Sequence, residues 1–251
     1  MSTEREAEQD VDAPGDPAPR RRSAAGGFFA AVRETVLVVA VALVVSLVVK
    51  TFLLQAFFIP SQSMEQTLDI GDRVIVSKLA PGPFDLHRGD VVVFSDPGGW
   101  LDPTVPTQRG AVGTVVADVL TFVGLLPEDS DDHLIKRVVG LPGDHVVCCD
   151  ANGLLTVNGT PVDESAYLAE GVVPSATQFD VTVPEGMLWV MGDNRAESAD
   201  SRYNRDKPHG GFVPVDLVVG RAYAVVWPLS HWSWLGTPDD FDSVSGPSGV
   251  S

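Results

Sequence analysis

Ser63 and Lys136 are the residues of this chain best suited to nucleophilic chemistry. A serine hydroxyl attacks poorly at neutral pH unless a neighbouring group takes its proton. Ser63 stands in Pro60-Ser61-Gln62-Ser63-Met64, directly after a long apolar segment. The chain has four lysines, Lys50, Lys78, Lys136 and Lys207. Lys50 belongs to the apolar segment and Lys207 to a polar stretch, Asn204 to His209, where solvent keeps it charged. Lys136 lies inside Leu134-Ile135-Lys136-Arg137-Val138-Val139, where strand alternation sends it and Arg137 to opposite faces, one buried and one solvated. Burial disfavours an ammonium and lowers its pKa toward working pH, whereas a guanidinium stays charged. On these residues alone, a strand lysine that snorkels to the surface stands as the alternative.

The apolar segment places this pair. Val36 to Ile59 carries Lys50 as its only charge and has the length of about 20 residues that a bilayer span requires. It lacks the polar face of a half-buried soluble helix. It also closes on Phe57-Phe58-Ile59-Pro60 rather than on a small-x-small cleavage site, so it reads as an uncleaved anchor over 31–58. Arg20, Arg21, Arg22 and Arg33 precede the span, and the next arginine is Arg73. Positive charge is retained inside, so the amino terminus is expected in the cytoplasm and residues beyond Ile59 outside the membrane. Val112 to Leu126, interrupted by Gly113, Asp118 and Gly124, is too short to span and reads as a helix or loop on the domain or at the interface.

A net charge of -17 argues against nucleic acid as a partner, because that binding depends on Lys and Arg. The two cysteines, Cys148 and Cys149, are adjacent, and on a strand they would point to opposite faces, which disfavours a bridge between them. The five histidines, His87, His133, His145, His209 and His231, are scattered without metal-ligand spacing, and no cofactor is expected. Residues 1–30 and 236–251 read as disordered tails, and 59–235 as one mostly β domain outside the membrane. Its β runs are 73–77, 91–94, 134–139, 146–149, 154–157, 187–190 and 222–227, separated by turn residues such as Gly71-Asp72, Gly143-Asp144 and Asn158-Gly159. Residues 96–132 look like an insertion, and 146–185 like a small lobe with a hairpin at Asn158-Gly159.

Read together, IPSQSMEQTL, GDRVIVSK, RGDVVVF, IKRVVGLPGD and MGDNRAESADSR, in this order behind an amino-terminal anchor, resemble the bacterial type I signal peptidases. The resemblance implies a membrane-anchored serine endopeptidase with a signal-peptidase-like β-sheet domain. Its partners would be the signal peptides of exported preproteins and the lipid bilayer, met near the secretion translocon. It implies Ser63 as nucleophile and Lys136 as general base, with the Ser61 hydroxyl joining the Ser63 N–H in an oxyanion hole. It further implies that Ser198 orients the lysine and that Asp200 and Arg202 brace that wall. These three fall at every second position, so an extended chain would present them on one face; an Asp and Arg so spaced also occur as a surface ion pair. Small residues, chiefly alanine, are implied at the first and third positions before the cut. Ile59, Met64, Leu68 and Ile135 are the apolar candidates for the pockets, or else core.

Two positions depart from the family pattern, Gln66 where proline is usual and Pro81 where tyrosine is frequent. Three other classes are weighed against this reading. A self-cleaving repressor of the related Ser/Lys fold would carry a DNA-binding module, and none precedes residue 59. A surface cysteine transpeptidase would use Cys148 or Cys149 with His145. A tethered, inactive β module would have lost Ser63 or Lys136.

Overall fold

The computed structural model describes residues 24–101 and 132–247. Val112 to Leu126 and most of the 96–132 segment lie outside the described residues. One helix, α1 (Ala24–Phe52), opens the described chain, and its stretch Ala31–Phe52 is long and apolar enough to cross a membrane. The chain from Leu43 onward forms one compact unit and the residues before it another.

The helix stops at Phe52, not at residue 58. Leu54–Phe58 instead forms strand β1, paired antiparallel along its whole length with β2 (Arg73–Ser77). Gln55 and Phe57 turn inward while Leu54 and Phe58 stay exposed, the two-residue period of a strand with one buried face. The ladder continues past β1, because the Ile59 N–H donates to Asp72 O and the Gly71 N–H to Ile59 O. Residues 60–70 are thus a loop closed at its neck.

The larger sheet runs β1-β2-β11-β3-β4-β9-β10, with β3 at Val91–Ser95, β4 at His133–Gly140, β9 at Met187–Met191, β10 at Val213–Pro214 and β11 at Val218–Trp227. A short β12 (Ser233–Trp234) pairs with β11. The smaller sheet, β7-β6-β5-β8, joins Thr160–Val162, Leu155–Val157, His145–Cys148 and Phe179–Thr182. Asn158 and Gly159 link β6 to β7 with φ of 52° and 78°, as a two-residue hairpin turn requires.

Central strands are apolar almost throughout because both faces are covered. Along β3, Val91 and Val93 enter a cluster with Phe57, Ile59, Met64 and Leu68, while Val92 and Phe94 enter another with Leu134, Val138 and Val190. A third cluster joins the two sheets, packing Trp189 and Met191 against Val146, Leu155 and Phe179. Phe241 and Val244 are buried in it as well, so residues 236–247 are packed rather than a disordered tail. Full burial of such side chains stabilises by about 1.5–3 kcal/mol each, which offsets part of the entropy cost of ordering this segment.

Candidate active site

The loop after β1 turns tightly, with the Glu65 N–H donating to Gln62 O and the Thr67 and Leu68 N–H groups to Met64 O. Met64 and Leu68 anchor it in the core, which leaves Ser63 at its inner side, 6% exposed. Gln66 completes the turn with φ of 88°. A proline there could not adopt that angle, so the departure from the family pattern marks a turn of different local shape.

Lys136 reaches Ser63 from β4. Its Nζ donates to Ser63 Oγ at 2.7 Å and to Ile135 O at 2.9 Å, and the side chain is buried. Removal from water is the main influence on the amine and lowers its pKa to about 8, against the opposing pull of Asp200 and Asp193 and with some help from Arg202. Ser61 Oγ lies 3.4 Å from Ser63 Oγ on the open side.

Arg137, next along β4, is also buried, contrary to a solvated position for one of the pair. Both faces of β4 are covered, and the guanidinium is matched by Asp193, with Nε to Oδ1 at 2.8 Å and Nη2 to Oδ2 at 2.6 Å, and by Gly89 O at 2.6 Å. Asp193 also accepts from Thr67 Oγ1 at 2.5 Å, which ties the far end of the Ser63 loop to β4.

Residues 192–204 are a series of turns rather than an extended chain. Asp200 and Arg202 nevertheless form a fully buried bidentate pair, at 2.8 Å and 2.7 Å. It is no surface ion pair. Asp200 Oδ2 also accepts the Gly192 N–H at 2.9 Å. Ser198 is buried beside Gly192, but its hydroxyl makes no hydrogen bond in this structure, so the expected bond to the lysine is not formed. Lys136 directs its bonds to Ser63 and Ile135 instead. Asn194, which residue chemistry alone did not single out, donates its N–H to Ser63 O at 3.2 Å and its side-chain amide to Gln62 O at 3.1 Å.

Beside the pair lies a cleft of about 110 Å³ lined by Phe57, Phe58, Ile59, Val93, Leu134 and Ile135, with Ser61 and Lys136 at its polar end. Ile59 and Ile135 both line this cleft. Met64 and Leu68 do not; they are core residues that hold the loop in place. Phe57 and Leu134 were missed, although each lies two or one residues from a position already chosen on the same run.

Cys148 and Cys149 are joined to each other as a disulfide, through a cis peptide that brings their Cα atoms to 3.0 Å. The expectation against such a bridge assumed that both cysteines lie in a strand, whereas β5 ends at Cys148. Both sulfurs are therefore engaged in the small lobe, and His145 bonds Asp180 at 2.6 Å.

A buried lysine against a serine, behind one apolar helix, is an arrangement that a serine peptidase can use. The family described as signal peptidase, peptidase S26, matches residues 32–227. This chain belongs to that family. Signal peptidase I of Mycobacterium tuberculosis (strain CDC 1551 / Oshkosh) is 37% identical over 255 residues, covering 90% of this chain and 83% of the relative. The probable signal peptidase I of Mycobacterium leprae is 37% identical over 246 residues, 87% of this chain and 82% of its own. A crystal structure of a signal peptidase I from Enterococcus faecalis V583 aligns with a TM-score of 0.34 at 25% identity, over 55% of this chain and 97% of that one. As a member of the signal peptidases, the chain is a serine peptidase that processes the signal peptides of preproteins. The one helix among the described residues that is long and apolar enough to cross a membrane fits a single-pass membrane protein.

Proposed function

We propose that the chain cleaves signal peptides after small-x-small sites by a Ser63/Lys136 dyad. The 2.7 Å approach of Lys136 Nζ to Ser63 Oγ in a buried setting carries this reading. With Lys136 neutral, its lone pair takes the Ser63 proton as Oγ attacks the scissile carbonyl carbon. Negative charge then develops on the carbonyl oxygen, where the Ser63 N–H and the Ser61 hydroxyl donate to it; one such donor is commonly worth about a hundredfold in turnover. The Lys136 ammonium gives its proton to the departing amine as the C–N bond breaks. Water then attacks the acyl-serine with Lys136 again as base. Asp200 and Arg202 act on the Lys136 charge from the wall beside it, and Ser198, buried without a partner there, is assigned a supporting role with them.

Substrate geometry follows from two strand edges that are unpaired among the described residues. β1 is hydrogen-bonded to β2 on one side only, and the first part of β4, His133 to Lys136, pairs with β3 but not with β9. An extended peptide can add its backbone to these edges and set alternate side chains into the cleft. The apolar walls of that cleft, Phe57, Ile59, Val93 and Ile135, offer contact to small side chains such as alanine at these positions. Incubation of the purified chain with a preprotein bearing Ala-x-Ala is expected to release a product whose new amino terminus lies directly after the second alanine. Cleavage elsewhere, or none, would contradict the assignment.

The lipid bilayer is the second partner, held through α1, and delivery of substrates near the secretion translocon suits an anchored peptidase. The arginines before the span set the amino terminus inside, with the domain after Ile59 on the outer side. Protease added to intact spheroplasts is therefore expected to digest the carboxyl-terminal domain. A protected domain would reverse the orientation.

A further inference from the structure

Arg195 sits in the same run of turns as Gly192, Asn194 and Ser198, yet its guanidinium is held from the small lobe. Glu164, the first residue of a short helical turn (Glu164–Ala166), meets it with Oε1 to Nη2 at 2.5 Å and Oε2 to Nη1 at 2.8 Å. Both side chains are about 2% exposed. Tyr167 donates its hydroxyl to Glu164 Oε1 at 2.8 Å, and Pro174 O accepts from Arg195 Nη1 at 2.7 Å. Burial opposes the Arg195 charge, and Glu164 more than offsets this, so the guanidinium is held charged above its ordinary pKa.

The remaining edge of Arg195 points at the catalytic wall. Its Nε donates to Gly192 O at 3.0 Å, and its own carbonyl accepts from Arg202 Nη2 at 3.0 Å. Gly192 has no room to spare: a methyl group on its Cα would overlap the Ser63 carbonyl oxygen and Ser198 Oγ. Arg195 therefore clamps the residue on which the Ser63 backbone rests. We infer that Glu164 is a positioning residue for peptide cleavage, acting from the small lobe through Arg195 to hold Gly192 against the Ser63 loop. Stability alone does not call for this pair, since buried ion pairs exchanged for apolar residues of similar volume are often neutral or stabilising. What an apolar pair cannot supply is the Nε donor to Gly192.

The inference rests on the Ser63/Lys136 reading, and the test separates the two. Using the full chain in detergent and a short Ala-x-Ala peptide, kcat, KM and the thermal midpoint are measured for four variants. Glu164→Gln leaves Arg195 without its counter-charge and is expected to lower kcat by about ten- to a hundredfold with KM unchanged. Arg195→Lys keeps the buried charge but gives up the planar fork that reaches Glu164 and Gly192 together, and is expected to show the same loss. The double variant Glu164→Leu/Arg195→Met buries no unpaired charge, so its thermal midpoint is expected near the parent's while its kcat stays low. Recovery of parental kcat in the double variant, or parental kcat in Arg195→Lys, would reduce the pair to a structural role and overturn the inference. Ser63→Ala is the fourth: if it is inactive while the others run at the parental rate, only the inference falls, and if it is active, the dyad falls too.

Discussion

Ser63→Ala and Lys136→Met are each expected to lower kcat by at least about ten-thousandfold, and the double variant is expected to lose no more than either alone, because groups that act as one unit are not additive. The buried 2.7 Å bond between them motivates this. Loss of fold does not explain the expected effect. In the folded chain the Lys136 pKa is depressed from 10.5 to about 8, so burying this lysine costs stability below about pH 8, and the cost fades as pH rises from about 8 to 10.5. At pH 7 it amounts to about 3 kcal/mol. Methionine removes it, so Lys136→Met is expected to melt at or above the parent's temperature while being inactive. Steady-state kinetics with thermal melts at pH 7 check both halves. A variant that retains a tenth of parental kcat would remove its residue from the mechanism.

Gly192→Ala is expected to have the next largest effect. The added Cβ would overlap Ser198 Oγ and the Ser63 carbonyl oxygen and lie 2.6 Å from Ser198 Cβ. The Ser63 carbonyl cannot move freely, because it accepts from the Asn194 N–H, and Gly192 itself is tied to Asp200. The Ser63 loop must shift, and a displacement of about 1 Å at a reacting atom costs about a hundredfold. Overpacking should add about 1–3 kcal/mol of destabilisation. The measurement is kcat on a short peptide at a temperature where the variant remains folded. Parental kcat there would show that Gly192 does not set the position of Ser63.

Ser63 and Lys136 each carry a local signature, but it was the ordered set of motifs read together that singled them out as a pair. Ser63 follows the end of an apolar run, and Lys136 interrupts a strand of otherwise apolar residues. The boundary between anchor and domain was not legible. Leu54-Gln55-Ala56-Phe57-Phe58 is too short and too apolar for periodicity to separate a strand from a continuing helix; pairing with β2 decides it. Arg137 was misjudged for a related reason, since alternation tells which face a residue takes but not whether that face is covered. The cleft was half visible. Ile59 and Ile135 could be placed from neighbouring motifs, whereas the core role of Met64 and Leu68 depends on how the loop folds back over β1 and β2. The Glu164–Arg195 clamp had no sequence signal, because it joins two irregular segments from different sheets through side chains alone. The fold class needed none of these details, since turn residues at regular spacing already imply a mostly β domain.

The dependence of kcat/KM on pH tests the identity of the base most directly. Lysine at its ordinary pKa of 10.5 would be only about 0.3% neutral at pH 8, whereas a pKa of about 8 makes about half of the molecules competent there. Measured from pH 5 to 10 on a short Ala-x-Ala peptide, kcat/KM is expected to rise through an apparent pKa near 8 and to level off above it. A rise complete by pH 7, centred near the histidine value of about 6.5 and abolished by replacing one of the five histidines, would contradict the assignment of Lys136 as the base.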